Sequence, residues 1–116
     1  MATGVLAPST ITLTIPGTLS ASSIVTAAMP FNGTITGAYV AVTTAPAGSA
    51  LTADLKVGSA VAAAFSIAAA GTSDEGTLNA ANVKFDKGAL ISLDVATVGS
   101  GTAGSNITVA FTVIEG

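Results

Sequence analysis

The chain has no cysteine, histidine, arginine or tryptophan, and only three lysines. Each absence removes a class of chemistry. Without cysteine there are no disulfides, thiol nucleophiles or zinc–thiolate sites. Without histidine the commonest general base and the usual imidazole metal ligand are gone. The many serines have no histidine to activate them, and no Ser–Lys pair is suggested by spacing. Neither a G-x-S-x-G elbow nor a G-x-x-x-x-G-K-[ST] phosphate loop occurs. Three lysines against six acids leave a net charge of −3. A nucleic-acid binder needs a basic footprint to neutralise phosphates, and an anionic membrane surface asks for the same. The expectation is therefore a protein that is not an enzyme, holds no cofactor or metal, and binds neither nucleic acid nor membrane.

Charged residues are only 8% of the chain and aromatic residues 4%. The surface must then be made of Thr, Ser, Ala, Gly and Asn. Such a surface suits lasting contact with other protein; equally, Thr and Ser simply fill exposed strand positions. The first residues, MATGVLAPST, carry no positive n-region, so a secretory signal is not expected. The longest apolar run, AVAAAFSIAAA at residues 60–70, is well short of the ~20 residues of a membrane helix. A soluble product, made in the cytoplasm and used from there, is expected.

What is present is alternation. The 116 residues make one domain. Half of them are apolar, but alanine supplies much of that share and gains little free energy on burial. Packing between subunits would supplement so thin a core. Residues 1–9 read as a flexible arm, and residues 10–116 as a single β domain. In TITLTI, residues 10–15, Ile11, Leu13 and Ile15 face one way and the threonines the other, the mark of a half-buried strand. Pro16 and Gly17 end it. A strand at 19–28 follows. Asn32-Gly33 then reads as a type I′ hairpin turn into a strand at 34–44, with Ala38, Val40 and Val42 inward and Gly37 at a bulge.

Residues 51–57 alternate again, with Asp54 and Lys56 outward. Residues 61–68 place Val61, Ala63, Phe65 and Ile67 on one face. Alanine favours helix, but the large residues here repeat at two, so a strand is expected. Residues 71–76 read as a polar loop, and 78–85 as a short strand or a helical turn. Asp86-Lys87-Gly88 is a turn. Ala89, Ile91, Leu93 and Val95 then face inward, residues 99–105 form a long flexible tip, and Ile107, Val109, Phe111 and Val113 return on the inner face. About eight short strands at this spacing imply an all-β fold, an antiparallel β-sandwich that is jelly-roll-like, with an immunoglobulin-like topology as rival.

Few side chains are candidates for chemistry. Asp54 and Asp94 both fall mid-strand on outward faces. Brought together in a cleft within ~10 Å they would form a carboxylate pair of the glycosidase kind, or contribute to a calcium site; apart, they are solvated or lysine-paired surface residues. Asp74 and Glu75 read as a solubilising loop tip. Tyr39 points opposite Val40, as an exposed residue or a subunit contact, and alone makes a poor sugar platform. The glycosylation triplets at Asn32 and Asn106 lack a supporting signal peptide.

Three pieces carry a resemblance: PFNGTITGAYVAVTTAPAGSALTADLKVG at 30–58, the loop that starts at Gly71, and KGALISLDVATVGSGTAGSNITVAFTV at 87–113. A G-x-I-x-G strand leading to a Pro-x-Gly turn, then D-V-x-x-V-G before a glycine-rich tip and a last alternating strand, resembles small β-sandwich domains in structural proteins of tailed bacteriophages. The resemblance implies a capsid decoration, or cement, protein on the outer capsid surface of the virion. It would bind the major capsid protein and self-associate as a homotrimer. The arm, including Thr3, Gly4, Val5, Leu6 and Pro8, is the expected capsid contact, by strand addition. The alternative is a receptor- or glycan-binding module of a phage tail or fibre, with recognition carried by residues 71–76 and 99–105.

Overall fold

Ten β-strands and no helix make up residues 9–21 and 23–115, the part of the chain that the structure, a computed structural model, describes. The strands are β1 (Ser9–Thr18), β2 (Ile24–Ala28), β3 (Gly33–Ala41), β4 (Leu51–Val57), β5 (Ala60–Ile67), β6 (Ser73–Glu75), β7 (Thr77–Leu78), β8 (Lys84–Phe85), β9 (Leu90–Val98) and β10 (Ser105–Glu115). One sheet runs β1-β10-β3-β6, with β8 also pairing β3; the other runs β2-β9-β4-β5-β7. All pairings are antiparallel. The fold is the expected all-β sandwich, with ten strands rather than eight. The additional strands are the two- and three-residue pieces β6, β7 and β8.

Alternation produces the core. Ile35, Val40, Val109, Phe111 and Val113 of the first sheet are buried against Leu51, Leu55, Ile67, Ile91, Leu93 and Val95 of the second. The residues between them on each strand turn outward, as the pleat requires. The alanine-rich run forms β5, a strand, because Ala63, Phe65 and Ile67 at period two fill the space between sheets.

Bulges reset the parity at four places. The β3–β10 register shifts between Val113↔Ile35 and Thr112↔Gly37, so the extra residue is Thr36, next to the Gly37 at which the sequence implies a bulge. Pro16-Gly17 does not end β1. It forms a bulge, with Gly17 at φ 82°, and pairing resumes at Thr18↔Ser105. A third shift, at Ala62, sets Val61 opposite the outward Lys56. Val61 is therefore only half-buried rather than on the inner face. A fourth lies at Ala96, between Thr52↔Thr97 and Ala53↔Val95.

Asn32-Gly33 is not a hairpin turn. β2 pairs β9 in one sheet and β3 pairs β10 in the other, so the dipeptide carries the chain between sheets. Gly33 is required there for another reason. A Cβ would lie 2.7 Å from the Phe85 ring and 3.0 Å from the Ile114 carbonyl. Asn32 Oδ1 accepts the Lys87 N–H at 2.6 Å and ties the crossing to the 86–88 turn. The strand expected at 19–28 shortens to β2, preceded by a turn in which the Ser23 N–H donates to the Ser20 carbonyl at 3.0 Å.

Candidate functional site

The two outer faces of the sandwich differ in charge. On the second sheet, Asp54 and Asp94 are direct cross-strand partners, so their Cβ atoms lie ~4.5–5.5 Å apart. The sequence placed both outward, and the register brings them together. Two like charges so placed repel. The neighbouring Lys56 resolves this: its Nζ donates to Asp94 Oδ2 at 3.0 Å. The Asp94 hydrogen bond and charge, with a smaller contribution from Asp54, hold the Lys56 ammonium above its usual value of 10.5, against the opposing effect of burial. The three side chains lie on an open sheet face; those of Lys56 and Asp94 keep 28% and 34% exposure. Among the described residues no pocket opens beside them and no third acid joins them to hold an ion. The pair thus meets the distance a carboxylate site needs but has no cleft around it. What the arrangement does is hold charge in register at the centre of the sheet.

The outer face of the first sheet carries no charge along β1, β3 and β10 as far as Ile114. Its cross-strand rows read Thr10–Thr112–Gly37, Thr12–Ala110–Tyr39 and Thr14–Thr108–Ala41. Hydroxyls bond across strands: Thr14 to Thr108 at 3.3 Å and Thr36 to Thr112 at 3.0 Å. Tyr39 stands out of this face at 51% exposure, its hydroxyl donating to Ser73 Oγ at 3.2 Å. The result is a level, uncharged surface of hydroxyl and methyl groups, with one ring at its flank.

One end of the sandwich collects three loops. Residues 45–50 and 99–105 are zipped by the Ala47↔Thr102 and Thr44↔Ser105 bridges. The Gly101 N–H donates to the Ala47 carbonyl at 2.8 Å, and the Ala70 N–H to that of Pro46 at 2.8 Å. Gly99, at φ 103°, has no room for a Cβ, which would meet the Thr102 carbonyl oxygen. The expected long flexible tip at 99–105 is therefore a closed backbone weave. Asn106, at φ 54°, accepts the Gly17 N–H at 2.7 Å and donates to Thr43 Oγ1 at 2.8 Å, which commits its amide to the scaffold.

The stretch read as a polar loop at 71–76 contains β6, paired to Tyr39, Val40 and Ala41. Asp74 is no mere solubilising tip: its Oδ2 accepts the Ser66 N–H at 2.8 Å, capping the edge of β5 from the opposite sheet. Nothing in the sequence signalled this, since a three-residue strand shows no period. The ambiguous 78–85 stretch resolves into the end of β7, a turn in which the Asn82 N–H donates to the Asn79 carbonyl, and β8. The expected arm contacts Thr3, Gly4, Val5, Leu6 and Pro8 lie outside the described residues.

No protein family matches the chain in sequence, and no curated protein does. The fold does have a counterpart. A chain of the cyanophage Pam1 capsid asymmetric unit superposes with a TM-score of 0.56 at 17% identity, over 96% of this chain and 85% of that one. The likeness is one of fold. It falls on the kind of protein that the strand and turn motifs resemble, a structural component of a phage virion.

Proposed function

We propose that the chain is a virion structural protein that decorates a phage capsid and stabilises it by binding rather than by chemistry. The fold likeness to a capsid chain, spanning nearly all of both molecules, carries the reading. The strand order supports it. With β6, β7 and β8 taken together as one piece, the sheets interleave as a double-sheet jelly roll does, an architecture common in viral capsids. The uncharged face of β1, β10 and β3 supplies the contact. It buries without the cost of desolvating charge. Many copies, each making a modest contact with the major capsid protein on the outer surface, add stability to the shell by mass action, and joined copies release rarely. The sequence resemblance implies joining in threes, as a homotrimer; joining in pairs gives a dimer instead, and the mass of the protein in solution separates the two.

The test is reconstitution. Purified protein mixed with expanded heads that lack it should bind them and raise their resistance to heat and shear. Heads that neither bind it nor gain resistance would sink the reading. The rival, a receptor- or glycan-binding module, draws on the gathering of residues 45–50, 68–71 and 99–105 at one end. It wins if labelled protein adheres to host cells and ignores heads.

A further inference from the structure

The sandwich has two long sides, and one of them is unfinished. On one side β6, β7 and β8 are two or three residues long, and Asp74 caps the β5 edge. The side chain of Asn82 and the N–H of Asn79 donate to the Val61 and Ala62 carbonyls, covering the rest of β5. On the other side lie β1 and, beneath it, β2. β1 is ten residues long and terminates its sheet among the described residues. It has no charged residue. Its every second N–H and C=O points away from β10 and toward a strand position that no described residue fills. Proteins usually blunt such an edge with lysine, an early proline or a short strand. Here only Pro16, beyond the seven residues of STITLTI at 9–15, interrupts it.

We propose that this edge docks a second copy of the chain, β1 against β1 antiparallel about a two-fold axis at Thr12. In that register Thr12 faces Thr12, Ile11 faces Leu13, Thr10 faces Thr14 and Ser9 faces Ile15. The sum of each pair is even, so outward threonines meet threonines and Ile11 meets Leu13 on the inner side, with Ser9 opposite Ile15 at the ends. Ile11 and Ile15, only half-buried in one copy, gain cover from the other. The two uncharged faces become one continuous face across the joint.

Charge favours this side over every other. The acids of a chain with net charge −3 sit on the outer face of the second sheet, on β6, in the 86–88 turn and at the C-terminal end of β10, none of them on β1. Joining at β1 keeps these groups of the two copies apart. Seven residues at ~3.3 Å each, over a two-sheet side ~20 Å deep, present on the order of 450 Å² per copy, below the ~800 Å² of a standard stable interface. The dimer is therefore weak and concentration-dependent in free solution. This inference does not depend on the capsid reading, and it is tested on the isolated protein.

Sedimentation of the full chain over a wide concentration range should show a monomer–dimer equilibrium. Thr12→Lys places two ammonium groups across the axis and should weaken the dimer about fivefold or more. Ala64→Lys, on the outer face opposite Asp54, should leave it unchanged. Thr10→Lys is the second edge variant should Thr12→Lys lose its β-sheet circular dichroism. Amide exchange at residues 9–15 of the wild type should slow as concentration rises. A monomer at every concentration overturns the proposal, as does a trimer, since a two-fold edge contact joins copies only in pairs. So does a dimer indifferent to the edge lysines, or a β1 edge equally protected at all concentrations, which would mean that one chain already covers it.

Discussion

The two sides of the sandwich solve the same problem differently. At the β5–β7 side, the backbone of the last long strand is met by a carboxylate, an amide side chain and a turn N–H, and the remaining edge is cut into short pieces. At the β1–β2 side the last strand is long, uncharged and unmet among the described residues. The closed side contains both of the glycine–phenylalanine contacts, Gly76 on Phe65 and Gly33 on Phe85. Among the described residues the open side has none. Asp74, Asn79 and Asn82, with the rings of Phe65 and Phe85, stand where the edge is finished. Stability and association are thereby assigned to opposite sides, and substitutions should separate them.

The largest effect should come from the closed side. Phe65→Ala removes a buried ring that fills the space beneath Gly76. A loss of about 3–5 kcal/mol is expected in denaturant unfolding, as for other buried phenylalanines. A loss under ~1 kcal/mol would show that the closed side does not anchor the fold, and the comparison would fail.

Next comes Gly33→Ala. The added Cβ would stand 2.7 Å from the Phe85 ring and 3.0 Å from the Ile114 carbonyl. Backbone on one side leaves the ring as the group that must move, at a cost of about 1–3 kcal/mol. Combining it with Phe85→Leu, which removes the clashing edge, should recover part of that loss. An unchanged midpoint in the single variant would mean that the Phe85 ring is not held tightly against β3 at that corner.

Asp74→Ala sharpens the comparison more directly. It removes the acceptor of the Ser66 N–H, and because the site is exposed, water replaces the bond at a cost of about 1 kcal/mol. It also turns the closed edge into a partly open one. The variant should therefore lose a little stability and gain a second route to association, read by sedimentation. Were it to lose stability with no new association, shortness of the strands, and not the carboxylate cap, would be what blunts that edge.

How much of this was legible beforehand follows from strand length. The sets Ile91–Leu93–Val95 and Val109–Phe111–Val113 declare their inward face because a period of two needs only a few turns of the pleat to show. β6, β7 and β8 are too short to show any period, so the closure of one side was invisible, and with it the role of Asp74. Val61 was placed on the wrong face because the bulge at Ala62 carries no glycine or proline to mark it. Asn32-Gly33 misled for a different reason: the dipeptide suits a hairpin, but here the glycine answers a close ring rather than a positive φ. Alternation likewise placed Asp54 and Asp94 outward, yet their meeting depends on inter-strand register, which bulges set and a single strand cannot reveal.

The smallest effect should come from Lys56, which borders neither side and so serves as the reference for both. Its folded pKa lies above 10.5, raised first by the hydrogen bond to Asp94 and then by that residue's charge. A cation whose pKa rises on folding stabilises the fold fully below its unfolded value and loses that contribution as pH climbs through the folded value. The stability difference between the wild type and Lys56→Met should then be level from neutral pH to about 10, and should shrink above 10.5. The substitution also leaves Asp54 and Asp94 facing each other without a cation, so added salt should narrow the difference by screening their repulsion. Neither trend should touch association, because the pair lies on the central strands β4 and β9. A change in the dimer with Lys56→Met would place part of the contact on the charged face and return the comparison to faces rather than edges.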